Sequence, residues 1–288
     1  MRFAFIKEHQ DDWPVQLQCR LLEVSRGGFY DWCNRPPSER ERFRHKLTET
    51  IRRVHAECRE VYGSPRIAAE LKARGGITAS ENTIAKVMRR AGIAARRRRR
   101  FVPRTTDSNH PNPIAPNVLD RRFDAKLPNQ KWVCDITCVW TRDEGWLYVA
   151  AVIDLCSRRI VGWSMAGHMK TQLVNDALEM ALNRRRPASG LLHHSDRGVQ
   201  YTSSEYQKKL KENGITCSMS RSGNCYDNAA MESFWSTLKR EEVDGQDYAT
   251  HEQAKASIFE YIEVFYNRKR RHSSLGYQSP ESFEADLN

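Results

Sequence analysis

One carboxylate sits in the middle of a run that otherwise asks to be a buried strand. Lys131-Trp132-Val133-Cys134-Asp135-Ile136-Thr137-Cys138-Val139-Trp140 is rich in β-branched and aromatic residues, with Asp135 at its centre. A charge buried there is costly unless something offsets it. A second apolar run, Leu191-Leu192-His193-His194-Ser195, stops at Asp196, and Gly198 lets the chain turn away at once. A carboxylate at the C-terminal end of a strand lies where open α/β sheets place their ligands. A third acid, Glu232, follows Asp196 by 36 residues, room for one helix, one strand and a loop. It belongs to Asp227-Asn228-Ala229-Ala230-Met231-Glu232, which reads as the first turns of a helix with Asp227 as N-cap. Three oxygen donors suit Mg²⁺ or Mn²⁺ and do not make a thiolate site.

The surrounding pattern alternates strand and helix. Strands are expected near 131–140, 145–154 and 158–166, joined by short connections as an antiparallel meander. A helix starts at Thr171, with Leu173, Val174, Ala177, Leu178, Ala181 and Leu182 on its apolar side. Strand 191–195, helix 203–213, strand 215–220 and helix 227–243 follow, and a last helix near 250–267 carries Ile258, Tyr261, Ile262 and Phe265. This is the order of an α/β, ribonuclease-H-like domain: a five-stranded mixed sheet with flanking helices.

The first hundred residues read as helical. Leu17, Leu21, Leu22 and Val24 form a short stripe, and Ser25 caps a helix bearing Phe29, Tyr30 and Trp32, aromatics better suited to packing than to DNA reading. Pro36-Pro37 stops the chain, and Ser38 with Glu41 has the spacing of a capping box before Phe43, Leu47, Ile51, Val54 and Cys58. A helix-turn-helix follows. Ser64 reads as the N-cap of its first helix with Pro65 in the first turn, Gly75-Gly76 breaks it, Ser80 caps the second and Gly92 ends it. Ile67, Ala68, Leu71, Ile84, Val87 and Met88 face inward, leaving Asn82, Thr83, Lys86 and Arg90 as candidate DNA contacts. Arg96, Arg97, Arg98, Arg99 and Arg100 follow directly and would track phosphates.

Charge supports this division. Of a net +11, residues 1–110 hold all the excess, 24 basic against 13 acidic, while residues 111–288 hold 23 of each. The uneven spread suits a polyanion-binding module feeding a metal site, and a solvated charged surface that aids solubility suits it about as well; composition alone leaves both readings open. Residues 103–118 hold four prolines and read as a linker. The expected organisation is therefore 1–102 helical and DNA-binding, 103–118 linker, and 119–288 catalytic core with a basic tail.

No stretch of 18 apolar residues spans a membrane, and the N-terminus has no secretory pattern. The eight cysteines lack a paired metal-ligand spacing, which favours reduced thiols. Cys134 and Cys138 share a strand face as small apolar residues. His193-His194 with Cys217 lacks the second ligand pair that a zinc site needs. Asp154, at a strand end beside Ser157, reads as a turn cap rather than a fourth ligand.

Together these residues resemble a known family. Asp135, Asp196 and Glu232 match the acidic triad of retroviral-integrase-like transposases, including its last spacing. Ser195-Asp196-x-Gly198-x-x-Tyr201-x-Ser203 matches the second-aspartate motif, and Lys239, seven residues after Glu232, matches its basic position. The nearest likeness is the OrfB product of a group of bacterial insertion sequences, over roughly residues 10–285. That resemblance implies a DNA transposase acting by metal-dependent strand cleavage and transfer, with the triad as catalytic residues and ligands of two Mg²⁺ (or Mn²⁺) ions. It implies DNA contacts from Lys239 and from the basic tail, here Arg270 and His272; Asn228, four residues before Glu232 on the same helix face, is a further candidate to hydrogen-bond substrate or water. It also implies element ends and target DNA as partners, a homo-oligomer on DNA, an upstream OrfA protein or OrfA–OrfB fusion, and a bacterial cytoplasmic, nucleoid-associated location. The His/Cys zinc module that begins retroviral integrases is absent from this sequence.

The alternative is a non-enzymatic DNA-binding repressor or an inactive transposase relic, which metal-dependent strand transfer would exclude. A ribonuclease-H-like nuclease is disfavoured by the basic N-terminal module. A tyrosine recombinase using Arg271-His272 would leave a covalent protein–DNA adduct.

Overall fold

The computed structural model describes residues 1–96, 112–221 and 225–287. Six helices come first: α1 (Arg2–Glu8), α2 (Val15–Leu21), α3 (Arg26–Asn34), α4 (Glu39–Glu57), α5 (Ser64–Ala73) and α6 (Glu81–Arg90). The capping box is made as expected: the Ser38 hydroxyl accepts from the Glu41 amide, and Glu41 accepts from the Ser38 amide at 2.8 Å. Ser25 and Ser80 cap α3 and α6 in the same way, accepting from Gly28 and Thr83. At α5 the cap position falls on Gly63, with Ser64 and Pro65 inside the first turn.

A five-stranded sheet follows, in the order β3-β2-β1-β4-β5. β1 (Lys131–Thr141), β2 (Gly145–Asp154) and β3 (Ile160–Ala166) form the expected antiparallel meander, while β4 (Leu192–Ser195) and β5 (Thr216–Met219) add parallel to β1. α7 (Thr171–Arg185) crosses one face so closely that a Cβ on Gly162 would strike the Ala177 carbonyl, which is why β3 carries glycine there. α8 (Ser204–Glu212) joins β4 to β5. α9 (Ala229–Leu238) and α10 (His251–Phe259) each run on into a wider π turn, Lys239–Val243 and Glu260–Tyr266, and α11 (Pro280–Ala285) is last.

Alternation along β1 sorts the core. Trp132, Cys134 and Ile136 pack with α7 and α8, whereas Val133 and Val139 pack with α9 and α10. The second cluster does not end at the sheet. It continues without a break through Tyr62 and Ile67 into Leu47, Ile51, Val54 and Ile84 of α4–α6. Polar contacts seal the join. Arg271 donates its amide to the Tyr62 hydroxyl at 2.8 Å and its guanidinium to Glu70, Arg66 donates to the Arg271 carbonyl at 3.0 Å, and Arg59 pairs with Glu242 at 3.2 Å.

This corrects the reading of the basic tail. Arg270 and His272 are 3% and 9% exposed and cannot serve as surface phosphate contacts. Arg270 instead donates Nε and Nη2 to the two oxygens of buried Glu241, both at 2.7 Å, and Tyr261 donates to the same carboxylate. His272 packs edge-on against Tyr266. The sequence shows Arg268–His272 as one charged run, but the backbone folds over here, with a bridge between His272 and Gln278, and turns half of it inward.

Candidate active site

The three acids come from three elements that the sheet brings together. β1 and β4 are parallel neighbours, with Trp132 level with His193 and Val133 with His194. Carried two residues further, that register would bring Asp135 level with Asp196, one residue past the end of β4, and period-2 alternation puts Asp135 on the face covered by α9. α9 lies against β1, and Trp235 of α9 donates its indole N–H to Asp135 Oδ2 at 3.1 Å. Glu232, one turn earlier on the same helix, is exposed.

Electrostatics couple the acids. Burial pushes the Asp135 carboxyl well above the usual carboxylate range, and the charges of Asp196 and Glu232 push it the same way; the Ile136 amide and the Trp235 indole oppose them. Partial burial also raises Glu232. Among the described residues, no three His, Cys, Asp or Glu side chains are already gathered closely enough to grip an ion. The donor chemistry nevertheless fits a hard divalent cation: all the atoms are carboxylate oxygens, and a cation would offset the mutual repulsion felt at Asp135.

The turn after Asp196 is built around its carboxylate. Gly198 donates its amide to Asp196 Oδ1 at 2.9 Å, and a Cβ on Gly198 would stand only 3.0 Å from that oxygen and from Gln200 Oε1. Any side chain there would press both oxygens aside. Beneath it, His194 acts as a post. The Ser218 hydroxyl oxygen accepts from the Val118 and Leu119 amides, which leaves its O–H to donate to His194 Nδ1 at 2.8 Å. Nε2 then carries the proton and donates to the Ser220 hydroxyl at 3.1 Å. Burial lowers the pKa of His194 to about 4 and that of His193 to about 3, so both are neutral.

Two other acids are spoken for. Asp154, fully buried, accepts from the Cys156 and Ser157 amides in the turn expected of it, and also from the Asn129 amide and the Trp132 indole. Asp227 is not the N-cap of α9; Asn228 holds that position. Asp227 accepts from Asn117, Arg121 and the Arg221 amide, each at 2.9 Å, and so ties the end of the 103–118 segment to the loop before α9. Burial alone would raise its pKa, but the Arg221 amide and the Arg121 guanidinium outweigh that and hold it below the usual range. No sequence signal distinguished this long-range tie from a local cap.

Of the expected DNA contacts, Asn82, Thr83, Lys86 and Arg90 are all exposed on one side of α6. Arg96 is exposed and lies 3.8 Å from Glu60. Arg97, Arg98, Arg99 and Arg100 lie outside the described residues. Lys239 is half-buried where α9 widens into its π turn, close enough to Cys138 to lower its thiol pKa against the larger effect of burial. Asn228 is 7% exposed with its Oδ1 unpartnered, so it is closed to DNA in this conformation.

Residues 125–225 and 213–280 match integrase core domain families, and residues 42–101 match an HTH-like domain. The transposase InsF for insertion sequence IS3A of Escherichia coli (strain K12) is 44% identical over 286 residues, covering 99% of this chain and 98% of InsF. The IS600 uncharacterized 31 kDa protein of Shigella sonnei is 44% identical over 265 residues, covering 92% and 96%. Among solved structures, the HTLV-2 integrase catalytic core domain in complex with magnesium shares 14% identity, with 56% of this chain and 99% of that one covered at a TM-score of 0.42. No helix among the described residues is long and apolar enough to cross a membrane. With 44% identity sustained over nearly the full length of InsF, this chain belongs to the IS3-type insertion-sequence transposases, enzymes with an integrase core domain and an HTH-like domain.

Proposed function

We propose that this transposase cuts and joins DNA by in-line phosphoryl displacement, with Asp135, Asp196 and Glu232 holding the divalent cation that the chemistry needs. The observation that supports this reading is the parallel pairing of β1, which carries Asp135, with β4, which ends one residue before Asp196, while the helix of Glu232 lies against β1. When bound, Mg²⁺ or Mn²⁺, as two ions, would activate the attacking oxygen and stabilise the leaving one. The chain's own part is positional. Asp135 is held by Trp235, Asp196 by the Gly198 amide, and exposed Glu232 is free to swing toward them. Tyr201 and Ser195 are both buried, which fits a reaction without a covalent protein–DNA intermediate.

The domain roles follow. Residues 1–102 would bind DNA through Asn82, Thr83, Lys86 and Arg90 on α6 and through the arginines from Arg96 to Arg100. Residues 103–118 would form the connection, and 119–288 the catalytic core, with Lys239 contacting DNA near Glu232. Element ends and target DNA are the partners, a homo-oligomer assembles on them, and an upstream OrfA protein or OrfA–OrfB fusion completes the active form in the bacterial cytoplasm, at the nucleoid. Glu232→Gln keeps size and loses charge. It should abolish cleavage and joining while leaving gel-shift binding of an element end intact; joining at the parent rate would refute the triad.

A further inference from the structure

A second cationic site lies along the helix that carries Glu232. A cleft of about 390 Å³ runs beside α9, between its Ser233 and Thr237 and the Ser273-Ser274 turn. Arg66, Arg158 and Arg270 line it. Its charges do not balance. Glu241 is engaged by both Arg270 nitrogens at 2.7 Å and by Arg240 at 3.0 Å, and it reaches Arg66 only at 3.8 Å. Arg158 pairs with no carboxylate among the described residues, whereas its neighbour Arg159 meets both Glu284 and Glu281. His272, at the cleft wall, adds no negative charge: burial first, then Arg270, Arg66 and Arg158, lower its pKa to about 2.

The lining therefore offers excess positive charge and neutral hydroxyls but no spare acceptor of full charge. Partly desolvated guanidiniums without enough counter-charge are costly, and an anion is what offsets them. The donor set narrows the anion. A guanidinium fork with serine and threonine hydroxyls suits the tetrahedral oxygens of a phosphate group. Arg158 also sits at φ +59°, a left-handed backbone conformation that non-glycine residues seldom adopt. Its place in the cleft is thus set by the turn after Asp154.

We infer that this cleft seats a backbone phosphate of the DNA substrate, gripped by Arg158 with Arg66 behind it. The inference rests on the reading that DNA runs along α9 past Glu232. The site then fixes the duplex at a point on that helix distinct from the reacting phosphate.

The test uses the full chain and a labelled duplex carrying an element end, with affinity measured across a salt series. Arg158→Asn removes the charge with a residue that tolerates the left-handed backbone; Arg158→Lys keeps the charge. Each neutralised phosphate contributes about 0.9 to the log–log salt slope. Arg158→Asn should lower the slope by about that amount and weaken binding roughly tenfold at low salt, and Arg158→Lys should restore the slope. If Arg158→Asn melts early, Thr237→Glu, which places a carboxylate in the cleft, should lower the slope in its stead. A parent-like slope in the folded variants overturns the inference alone. So does inorganic phosphate raising the melting temperature of the parent but not of Arg158→Asn while the DNA slopes stay equal, since the cleft would then take free phosphate. A parent chain that binds no duplex overturns the underlying reading as well.

Discussion

The Trp235 indole N–H donates to Asp135 Oδ2 across 3.1 Å, joining the helix of Glu232 to the strand of Asp135. Trp235 packs with Phe234 and Leu238, and Asp135 stands between Val133 and Thr137 on the same strand face. The indole is thus a specific support for a carboxylate whose surroundings disfavour its charge.

Trp235→Phe should keep the packing and lose the donor. A hydrogen bond to a charged group contributes about 1.5–3 kcal/mol, so joining should fall roughly 10- to 100-fold. The indole lowers the Asp135 pKa, so its loss should raise it further, and the acid limb of the pH–rate profile should move to higher pH. A slower enzyme with an unmoved acid limb would mean the indole only packs.

Acid should destabilise the fold through its buried histidines. His193, His194 and His272 have folded pKa values lowered to about 3, 4 and 2, all for burial first. The unfolded chain therefore takes up protons that the native state refuses. The contribution of each is full above the ordinary histidine pKa of about 6.5 and is lost as pH falls toward the folded value. By about pH 4.5 the loss at His194 is on the order of 2–3 kcal/mol. Chemical denaturation across pH 7 to 4 measures it, and His194→Asn should flatten the curve; an unchanged curve would show that other groups govern acid unfolding.

Arg270 and Glu241 should behave as a structural pair. Arg270→Ala strands a buried carboxylate and should cost about 3–5 kcal/mol, whereas Arg270→Met with Glu241→Leu should lie much nearer the parent. Thermal melts of both decide it. Lost DNA binding with an unchanged melt in Arg270→Ala would return Arg270 to the DNA contacts.

What the sequence made legible was what local rules govern. The β1 run, the Ser38–Glu41 box and the Ser80 cap are short-range patterns, and each formed where spacing placed it. The parallel pairing of β1 with β4 needed only the strand order. Long-range partners were not legible. Arg270 and Arg271 are adjacent, basic and alike in sequence, yet one meets Glu241 on the same side of the core and the other meets Glu70 of α5. Asp227 looked like a cap because a helix follows it; only the fold brings Arg121 and Asn117 to its carboxylate. The join between α4–α6 and the core was hidden for the same reason, since an apolar stripe shows that a face is buried but not what covers it.

Asp135 and Asp154 give the sharpest comparison, because both are strand aspartates whose carboxyls burial pushes above the usual range. Their partners differ in kind. Asp154 is surrounded by donors, namely three backbone amides and the Trp132 indole, and it closes the β2–β3 turn. Asp135 has one side-chain donor, Trp235, and two carboxylates that raise it. Asp154→Asn should therefore weaken the turn, by about 1 kcal/mol for each amide bond weakened, while a folded preparation keeps joining within about tenfold. Asp135→Asn should do the reverse. It removes a repelled charge, so the cation-free protein should melt no lower than the parent, yet joining should vanish because a carboxamide cannot balance the charge of a divalent cation. Melting curves and strand-transfer assays on the same preparations separate the two. A folded Asp154→Asn protein that cannot join DNA, beside an Asp135→Asn protein that can, would move the metal site from the β1–β4 pair to the end of β2.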